Sequence, residues 1–258
     1  IDSYTINNKW ENIESKYCKT VLISDGLKKK AKCDYLINYN LMSDSKKENN
    51  KILNSNCKKL IGPDYTIIRE HKNKNYKKKI TNKITVYMGG VDTKNYTMKI
   101  ISILKNFKLR KYKISVIIGQ KNKNKKEIVE KIKDCKNFEF LLGDKKSLYN
   151  YYKNSCLVIS NGGTSMFEHM TLGLKAIVVA QTEVQKKICQ ELSNNNLINF
   201  FPNVNKINYN NIISILKKKF SLKKSAKLRR LYDGKGIKRI VEYFANEANF
   251  RDKKISKT

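Results

Sequence analysis

Residues 158–179 read VISNGGTSMFEHMTLGLKAIVV, and the order of residue types in this stretch indicates the fold. An apolar strand runs into Gly162 and Gly163, which let the backbone turn sharply, and a helix follows. Gly173 ends that helix. The run 176–179 is a second strand, of the kind buried on both faces of a parallel sheet. The stretch therefore predicts two parallel strands joined by a helix.

The turn inside this unit is a candidate phosphate site. Thr164 or Ser165 can cap the helix that follows Gly162 and Gly163. Backbone N–H groups at such a turn lack partners, and in open α/β folds they lie at the carboxyl edge of the sheet, where anions bind. An ordinary tight turn between a strand and a helix would use the same residues, so the sequence leaves both interpretations open.

The second half of the chain continues this alternation. Strands are predicted at 84–88, 114–118, 138–141, 157–159, 176–179 and 197–200, and helices at 97–107, 125–133, 145–154, 164–172, 182–194, 208–220 and 237–248. The pattern predicts an α/β fold with a doubly wound parallel sheet. Right-handed crossovers would place a second glycine turn, at Gly89 and Gly90, on the same carboxyl edge as Gly162 and Gly163.

The first part of the chain predicts a second, smaller α/β unit. Its three short strands, at 20–24, 35–38 and 59–61, are too few to close a core, so we expect residues 1–72 to be the remainder of a truncated N-terminal domain. The lysine-rich segment 73–82 is expected to be a linker. Residues 83–258 would form the C-terminal domain, whose last helix could pack back on the first.

Composition narrows the classes of function. The net charge of +33 would suit a nucleic-acid binder, but only six of the 55 basic residues are arginine and the lysines are spread along the chain, which favours a solvated lysine surface. The six cysteines form no CxxC pair and there are only two histidines, so we expect no metal site and no cofactor. No signal peptide or long apolar run occurs, which predicts a cytoplasmic protein without stable membrane insertion.

Several motifs in order resemble one enzyme family. They are Asp2-Ser3-Tyr4, Ser24-Asp25-Gly26, Cys33-Asp34-Tyr35-Leu36, the Gly-Pro-x-Tyr-x-x-x-Arg pattern at Gly62–Arg69, the Gly-Gly-x-Asp-x-x-x-x-Thr pattern at Gly89–Thr97, the Gly-Gly-x-Thr-x-x-Glu-like run at Gly162–Glu168 and the Gly-x-Gly-x-x-Arg-Ile pattern at Gly234–Ile240. Together they resemble the UDP-sugar hydrolases of pseudaminic acid biosynthesis (PseG) and their spore-coat polysaccharide relatives. The resemblance implies the glycosyltransferase-B fold, shared with MurG-type glycosyltransferases, and two doubly wound domains.

The resemblance also implies a function and a set of site residues. The expected reaction is hydrolysis of a UDP-linked deoxyamino sugar, of the 2,4-diacetamido-2,4,6-trideoxy-altrose type, to free sugar and UDP. UDP would be held by Gly89, Gly90, Asp92, Gly162, Gly163, Thr164, Ser165, Glu168 and Gln185, and Asp2 and Tyr4 would orient the substrate or the water. A MurG-like transferase with a UDP-sugar donor and a non-catalytic sugar-nucleotide binder are the alternatives.

Three departures from the family pattern bear on these expectations. A Gly-His loop, whose histidine would activate water, does not occur in the chain, and neither His71 nor His169 fits that loop. The family's Asn-Gln pair is Val184-Gln185 here, and the first aspartate of its Asp-Asp turn is Ser24. Glu168 itself has two interpretations, because a carboxylate can accept both ribose hydroxyls and Ser165-x-x-Glu168 also reads as a capping box.

Overall fold

A computed structural model describes residues 18–23, 33–41, 56–69, 81–106, 109–143, 148–219 and 221–255 of the chain. The chain divides into two compact units, one formed by residues 1–68 and 234–258 and the other by residues 69–233. Both units are α/β structures with parallel sheets.

The larger unit contains a six-stranded sheet. Its strands are β4 (Lys83–Tyr87), β5 (Lys113–Gly119), β6 (Phe138–Gly143), β7 (Ser155–Asn161), β8 (Ala176–Val179) and β9 (Asn199–Phe201). All pairs are parallel and the spatial order is β6-β5-β4-β7-β8-β9. In order of appearance this is 3-2-1-4-5-6, the arrangement of the Rossmann fold. The doubly wound sheet predicted from the sequence is therefore present.

Seven helices connect these strands or follow them in the described part of the unit. They are α1 (Tyr96–Leu104), α2 (Lys125–Ile132), α3 (Tyr149–Tyr152), α4 (Ser165–Thr171), α5 (Glu183–Asn194), α6 (Tyr209–Lys217) and α7 (Leu222–Leu231). α7 was not predicted from the sequence. Among its residues only Ser225 and Leu228 are buried, so it lacks the broad apolar stripe by which a helix is recognised.

Apolar residues fill both faces of this sheet. Ile84, Val86, Ile114 and Val116 contribute to the large core cluster. A second cluster contains Ile117 and Val158 of the sheet, which pack with Tyr149, Tyr152, Leu172 and Leu174. Burial on both faces explains the nearly continuous β-branched runs in the strands, since a strand with one wet face would alternate apolar and polar residues.

The smaller unit has three parallel strands in the order β1-β2-β3: β1 (Val21–Ile23), β2 (Tyr35–Asn38) and β3 (Lys58–Ile61). A short 3₁₀ helix, Pro63–Tyr65, follows, and the long helix α8 (Gly236–Ile255) completes the unit. A side chain at Gly236 would overlap the backbone of Thr66. Arg239 Nη1 donates to the carbonyl oxygen of Asp64 at 3.0 Å. Two motifs that are far apart in sequence, at Gly62–Arg69 and Gly234–Ile240, thus contact each other.

The side of α8 that faces β2 carries aromatic and charged partners. Tyr35 donates its hydroxyl to Glu247 Oε2 at 3.1 Å, and its ring meets Phe244 edge to face with 4.9 Å between centroids. Lys58 Nζ forms an ion pair with Glu247 at 2.6 Å. No helix in the described part of the chain is both long and apolar enough to cross a bilayer.

Candidate functional site

The two glycine turns lie at the point where the strand order of the larger sheet reverses. β4 and β7 are hydrogen-bonded neighbours, and they run parallel. Gly89 and Gly90 follow β4, while Gly162 and Gly163 follow β7, so both turns leave the sheet at its carboxyl edge, as the sequence predicts. In open α/β sheets this reversal point forms the crevice in which ligands bind.

The side chain of Asn161 lies between the two turns. Gly89 has a φ of 96°, a conformation that favours glycine, and a Cβ there would lie 2.8 Å from Asn161 Nδ2. A Cβ at Gly163 would lie 3.5 Å from the same nitrogen. Asn161 is only 7% exposed. The last residue of β7 therefore contacts both of the turns predicted to bind UDP.

Close packing explains two glycines at this edge of the sheet, Gly119 and Gly162. A side chain at Gly119, the last residue of β5, would overlap the backbone of Gly90. A side chain at Gly162 would overlap Cys189 Sγ on α5. Gly90 differs, because a Cβ there would meet no atom within 4 Å. The space beside Gly90 is therefore open to a ligand.

Cys189 has a packing role at this place. It is completely buried, and burial raises the pKa of its thiol to about 12. The thiolate is the nucleophilic form of cysteine, so this residue stays a neutral thiol near pH 7.

Asp92 caps a helix. Its carboxylate accepts hydrogen bonds from the backbone N–H groups of Tyr96, at 3.0 Å, and Thr97, at 2.9 Å. Both donors belong to the first turn of α1, where backbone N–H groups lack partners within the helix. Asp92 is buried and has a φ of 48°. The carboxylate of Asp92 is thus hydrogen-bonded within the protein. Asp92 belongs to the turn that begins with Gly89 and Gly90, and its hydrogen bonds stabilise that turn.

Gln181, in the loop after β8, forms hydrogen bonds with the turn after β4. Its Nε2 donates to the carbonyl oxygen of Met88, at 3.1 Å, and to Asp92 Oδ1, at 3.0 Å. Gln185 in turn accepts the backbone N–H of Gln181 through Oε1 at 2.9 Å. Gln185 Nε2 lies 3.7 Å from the Cβ position of Gly163. Gln181, in the loop after β8, therefore contacts the turn after β4, and Gln185, in the first turn of α5, lies beside Gly163.

Thr164 and Ser165 occupy the start of α4. Thr164 is the exposed N-cap residue, and its side chain makes no capping hydrogen bond. Ser165 Oγ donates to Asn161 Oδ1 over a long 3.4 Å. Both residues directly follow the Gly162-Gly163 turn.

Glu168 lies one turn into α4, one residue beyond the capping-box position. The helix begins at Ser165 with Thr164 as its cap, so Glu168 is the fourth helical residue, whereas a capping box uses the third. Its Oε2 instead accepts the backbone N–H of Leu148 at 3.0 Å. Burial first, and then the charge of Glu168, raise the pKa of Tyr87 and of Tyr152. The carboxylate therefore lies close to both phenol rings.

His169 is a buried histidine behind the site. Its Nε2 hydrogen-bonds Ser160 Oγ at 3.0 Å, and burial lowers the pKa of the imidazole to about 3. Its Nδ1 has no hydrogen-bond partner in the described structure. The ring packs edge to face against Tyr152. A histidine that stays neutral and enclosed is a core residue, in keeping with its exclusion from the predicted catalytic set.

Several predicted residues lie outside the described residues. These are Asp2, Tyr4, the turn Ser24-Asp25-Gly26 and His71. Within the ranges that the structure describes, no group of three or more His, Cys, Asp or Glu side chains could hold a metal ion.

Sequence reasoning missed two residues of this edge, Asn161 and Gln181. Both are amides at the end of an apolar strand or shortly after it, which was the only signal available. Asn161 ends β7, and Gln181 is the second residue after β8.

Solved structures of glycosyltransferases share this fold. The chain superimposes on Acinetobacter baumannii MurG with a TM-score of 0.57 and 11% identity, covering 82% of this chain and 67% of that one. The glycotransferase of kitacinnamycin gives a TM-score of 0.57 and 12% identity, over 79% and 52% of the two chains. Spinosyn rhamnosyltransferase SpnG gives 0.53 and 13%, over 77% and 63%. At these identities the likeness concerns the fold alone.

The chain also matches a protein sequence and a domain family. The uncharacterized protein MJ1062 of Methanocaldococcus jannaschii is 27% identical over 205 residues, 72% of this chain and 41% of that protein. The chain thus spans less than half the length of this relative. Residues 83–218, just over half of the chain, match the glycosyltransferase family 28 C-terminal domain. The chain belongs to that family.

Proposed function

We propose that this chain is the donor-binding part of a glycosyltransferase that uses a UDP-linked sugar. The observation that carries the proposal is the meeting of two glycine turns at the strand-order reversal of a family 28 C-terminal domain. Nucleotide ligands of such sheets bind at this crevice. Backbone and side-chain amides at the turns supply several N–H donors, which suit the oxygens of a diphosphate.

The same groups would serve the chemistry. In glycosyl transfer the bond between the anomeric carbon and the diphosphate oxygen breaks, and negative charge grows on the departing UDP. Preorganised donors near that charge lower the barrier. Gly90, Gly163, Thr164, Ser165 and Gln185 are the proposed contacts on the diphosphate side. Asp92 acts indirectly, because its carboxylate accepts the backbone N–H groups in the first turn of α1.

Glu168 is proposed to bind the ribose of UDP. Glu168 is the fourth residue of α4, one position beyond that of a capping box, which favours this role. The hydrogen bond from Leu148 fixes the carboxylate in position. A carboxylate so held can accept hydrogen bonds from two neighbouring ribose hydroxyls, which are donors of the matching spacing.

Hydrolysis of the UDP-sugar is the second candidate. Its support is the ordered set of motifs shared with the pseudaminic acid hydrolases, two of which, at Gly62–Arg69 and Gly234–Ile240, contact each other in the smaller unit. The substrate would then be a UDP-linked trideoxy-diacetamido sugar, with water as acceptor. A third possibility is that the chain binds the sugar nucleotide without catalysis. We place each of these activities in the cytoplasm.

Two measurements test the proposal. Calorimetry with UDP, ADP, GDP and CMP should show preferential binding of UDP, and binding of none of them would refute the donor site. UDP release from UDP-sugars is then followed with water alone and with a panel of hydroxyl acceptors. Release that depends on the acceptor supports the transferase. Equal release with and without acceptor supports the hydrolase, and binding without any release supports the non-catalytic alternative.

A further inference from the structure

The side-chain amide of Asn161 occupies a place that the binding residues predicted from sequence leave out. Asn161 ends the strand that borders the reversal point, and both glycine turns pass its side chain. It is more than nine-tenths buried. Its Nδ2 atom is nevertheless not one of the fully enclosed, unpartnered polar atoms of the described residues, so the nitrogen can be reached from the crevice.

Only one end of this amide is satisfied by the protein. Oδ1 accepts the hydroxyl of Ser165. The Nδ2 group has no hydrogen-bond acceptor among the described residues, although it lies in a tight space beside Gly89 and Gly163. Its two N–H bonds therefore lack an acceptor at the crevice itself.

Gln185 repeats this arrangement on the other side of Gly163. Its Oε1 is held by the backbone N–H of Gln181, so its Nε2 is the end directed toward the turn. Asn161 places Nδ2 and Oδ1 at the same distance, 3.5 Å, from the Cβ position of Gly163. Because both amide oxygens already accept a hydrogen bond within the protein, the two nitrogen atoms are the groups that remain for a ligand at this turn. A ligand that meets both must be an acceptor of hydrogen bonds, and phosphate oxygens are such acceptors.

We infer that Asn161, which lies between the two glycine turns, is a binding residue. Its Nδ2 donates a hydrogen bond to a phosphate oxygen of the nucleoside diphosphate. The inference rests on the proposed function and adds a residue to its site. It also assigns the contact to the phosphate part of the ligand, whereas Glu168 is assigned to the ribose. Loss of the Asn161 donor should therefore affect UDP and leave uridine unaffected.

The test uses the full chain and measures the affinity of UDP and of uridine by calorimetry. Asn161→Ala removes the donor. Asn161→Asp replaces the amide by a carboxylate of nearly the same shape that carries a negative charge. We expect UDP to bind about tenfold more weakly to Asn161→Ala and weaker still to Asn161→Asp, with uridine within about twofold of wild type. Asn194→Asp is the matched control, since it adds the same charge at an exposed position near the far end of α5, about 16 Å along the helix.

The outcomes separate this inference from the proposed function. If wild type binds UDP and the Asn161→Asp variant binds it with the same affinity, the inference is overturned and the proposed function is not. An equal loss for UDP and uridine would also overturn it, because the residue would then support the site as a whole. Wild type without affinity for UDP would overturn the proposed function and the inference together. Thermal melting of each variant establishes that it is folded, and Asn161→Ala alone decides the question if the aspartate variant does not fold.

Discussion

Gln181 and Asp92 are joined across the carboxyl edge of the sheet by a hydrogen bond of 3.0 Å from Nε2 to Oδ1. The residues are separated by 89 positions and belong to the loops that follow β8 and β4, two strands that β7 separates. With the second bond to the carbonyl oxygen of Met88, this amide uses both of its N–H groups. It links the loop after β8, whose backbone N–H at Gln181 donates to Gln185 of α5, to the turn that carries Gly89 and Gly90.

Removal of this hydrogen-bonded link should lower the stability of the protein. Gln181→Leu leaves two acceptors without their donor, and we expect a loss of about 2 kcal/mol in the free energy of unfolding. For a protein of this size that corresponds to a fall of about 4–8 °C in Tm. Urea denaturation and calorimetry measure the two quantities. Gln190→Leu is the matched control, because Gln190 is exposed and bonds only within α5, and it should change stability by less than about 0.5 kcal/mol. Equal effects of the two substitutions would show that the link contributes nothing.

The packing of Gly162 on Cys189 can be tested by a double-mutant cycle. Gly162→Ala drives a methyl group into Cys189 Sγ, and we expect a destabilisation of about 1–3 kcal/mol. Cys189→Ala removes the sulfur, so the nearest atom to the new methyl group becomes Gln185 Cβ at 3.2 Å. The double variant should therefore regain at least about 1 kcal/mol relative to the sum of the single changes. Additive losses would mean that the overlap is relieved in another way.

Gly90 should show the opposite behaviour to Gly162. A Cβ at Gly90 meets nothing within 4 Å, so Gly90→Ala should leave the unfolding free energy within about 0.5 kcal/mol of wild type. If the open space beside it receives the diphosphate, the same methyl group should weaken UDP binding several-fold. Unchanged UDP affinity in the folded variant would remove Gly90 from the proposed site.

Stability should fall on mild acidification because of His169. Its pKa is about 3 in the folded protein and 6.5 when the ring is exposed. The unfolded chain therefore binds the proton first, so the stabilising contribution is complete above pH 6.5 and declines as the pH falls toward 3. We expect a loss of roughly 2 kcal/mol between pH 7 and pH 5. Urea denaturation across this range should show the slope in wild type and a flatter profile in His169→Gln, whose amide can still reach Ser160. The same slope in both proteins would contradict this origin.

Glu168→Gln separates ribose binding from phosphate binding. Gln keeps the size of the side chain and an acceptor for the Leu148 N–H group, but it has lost the charge and one of the two oxygen acceptors for the ribose. We expect uridine and UDP to lose affinity by a similar factor, about tenfold. Calorimetry with both ligands gives the answer. A loss confined to UDP would reassign Glu168 to the phosphate side, and unchanged binding of both would exclude a direct role.

Much of the larger unit could be predicted from the sequence because its strands are buried on both faces. Continuous β-branched runs such as 176–179 are local signals, and glycines with a turn on one side and a helix on the other mark the connections. α7 could not be predicted in this way, since Leu222 is 84% exposed and only two residues of the helix are buried. The role of Asp92 was also hidden. Its hydrogen bonds to Tyr96 and Thr97 depend on a backbone φ of 48°, which the sequence does not specify for aspartate.

The sequence by itself determined the alternation of strands and helices and the positions of the two glycine turns, because apolar periodicity and glycine conformation act within short stretches of chain. Only the tertiary structure decided that β4 and β7 are neighbours, and with that the meeting of Gly89, Asn161 and Gly163 at one place. Strand order follows from how distant segments pack. The amide donors of the site therefore became recognisable only once residues some 70 positions apart in the chain were seen in contact.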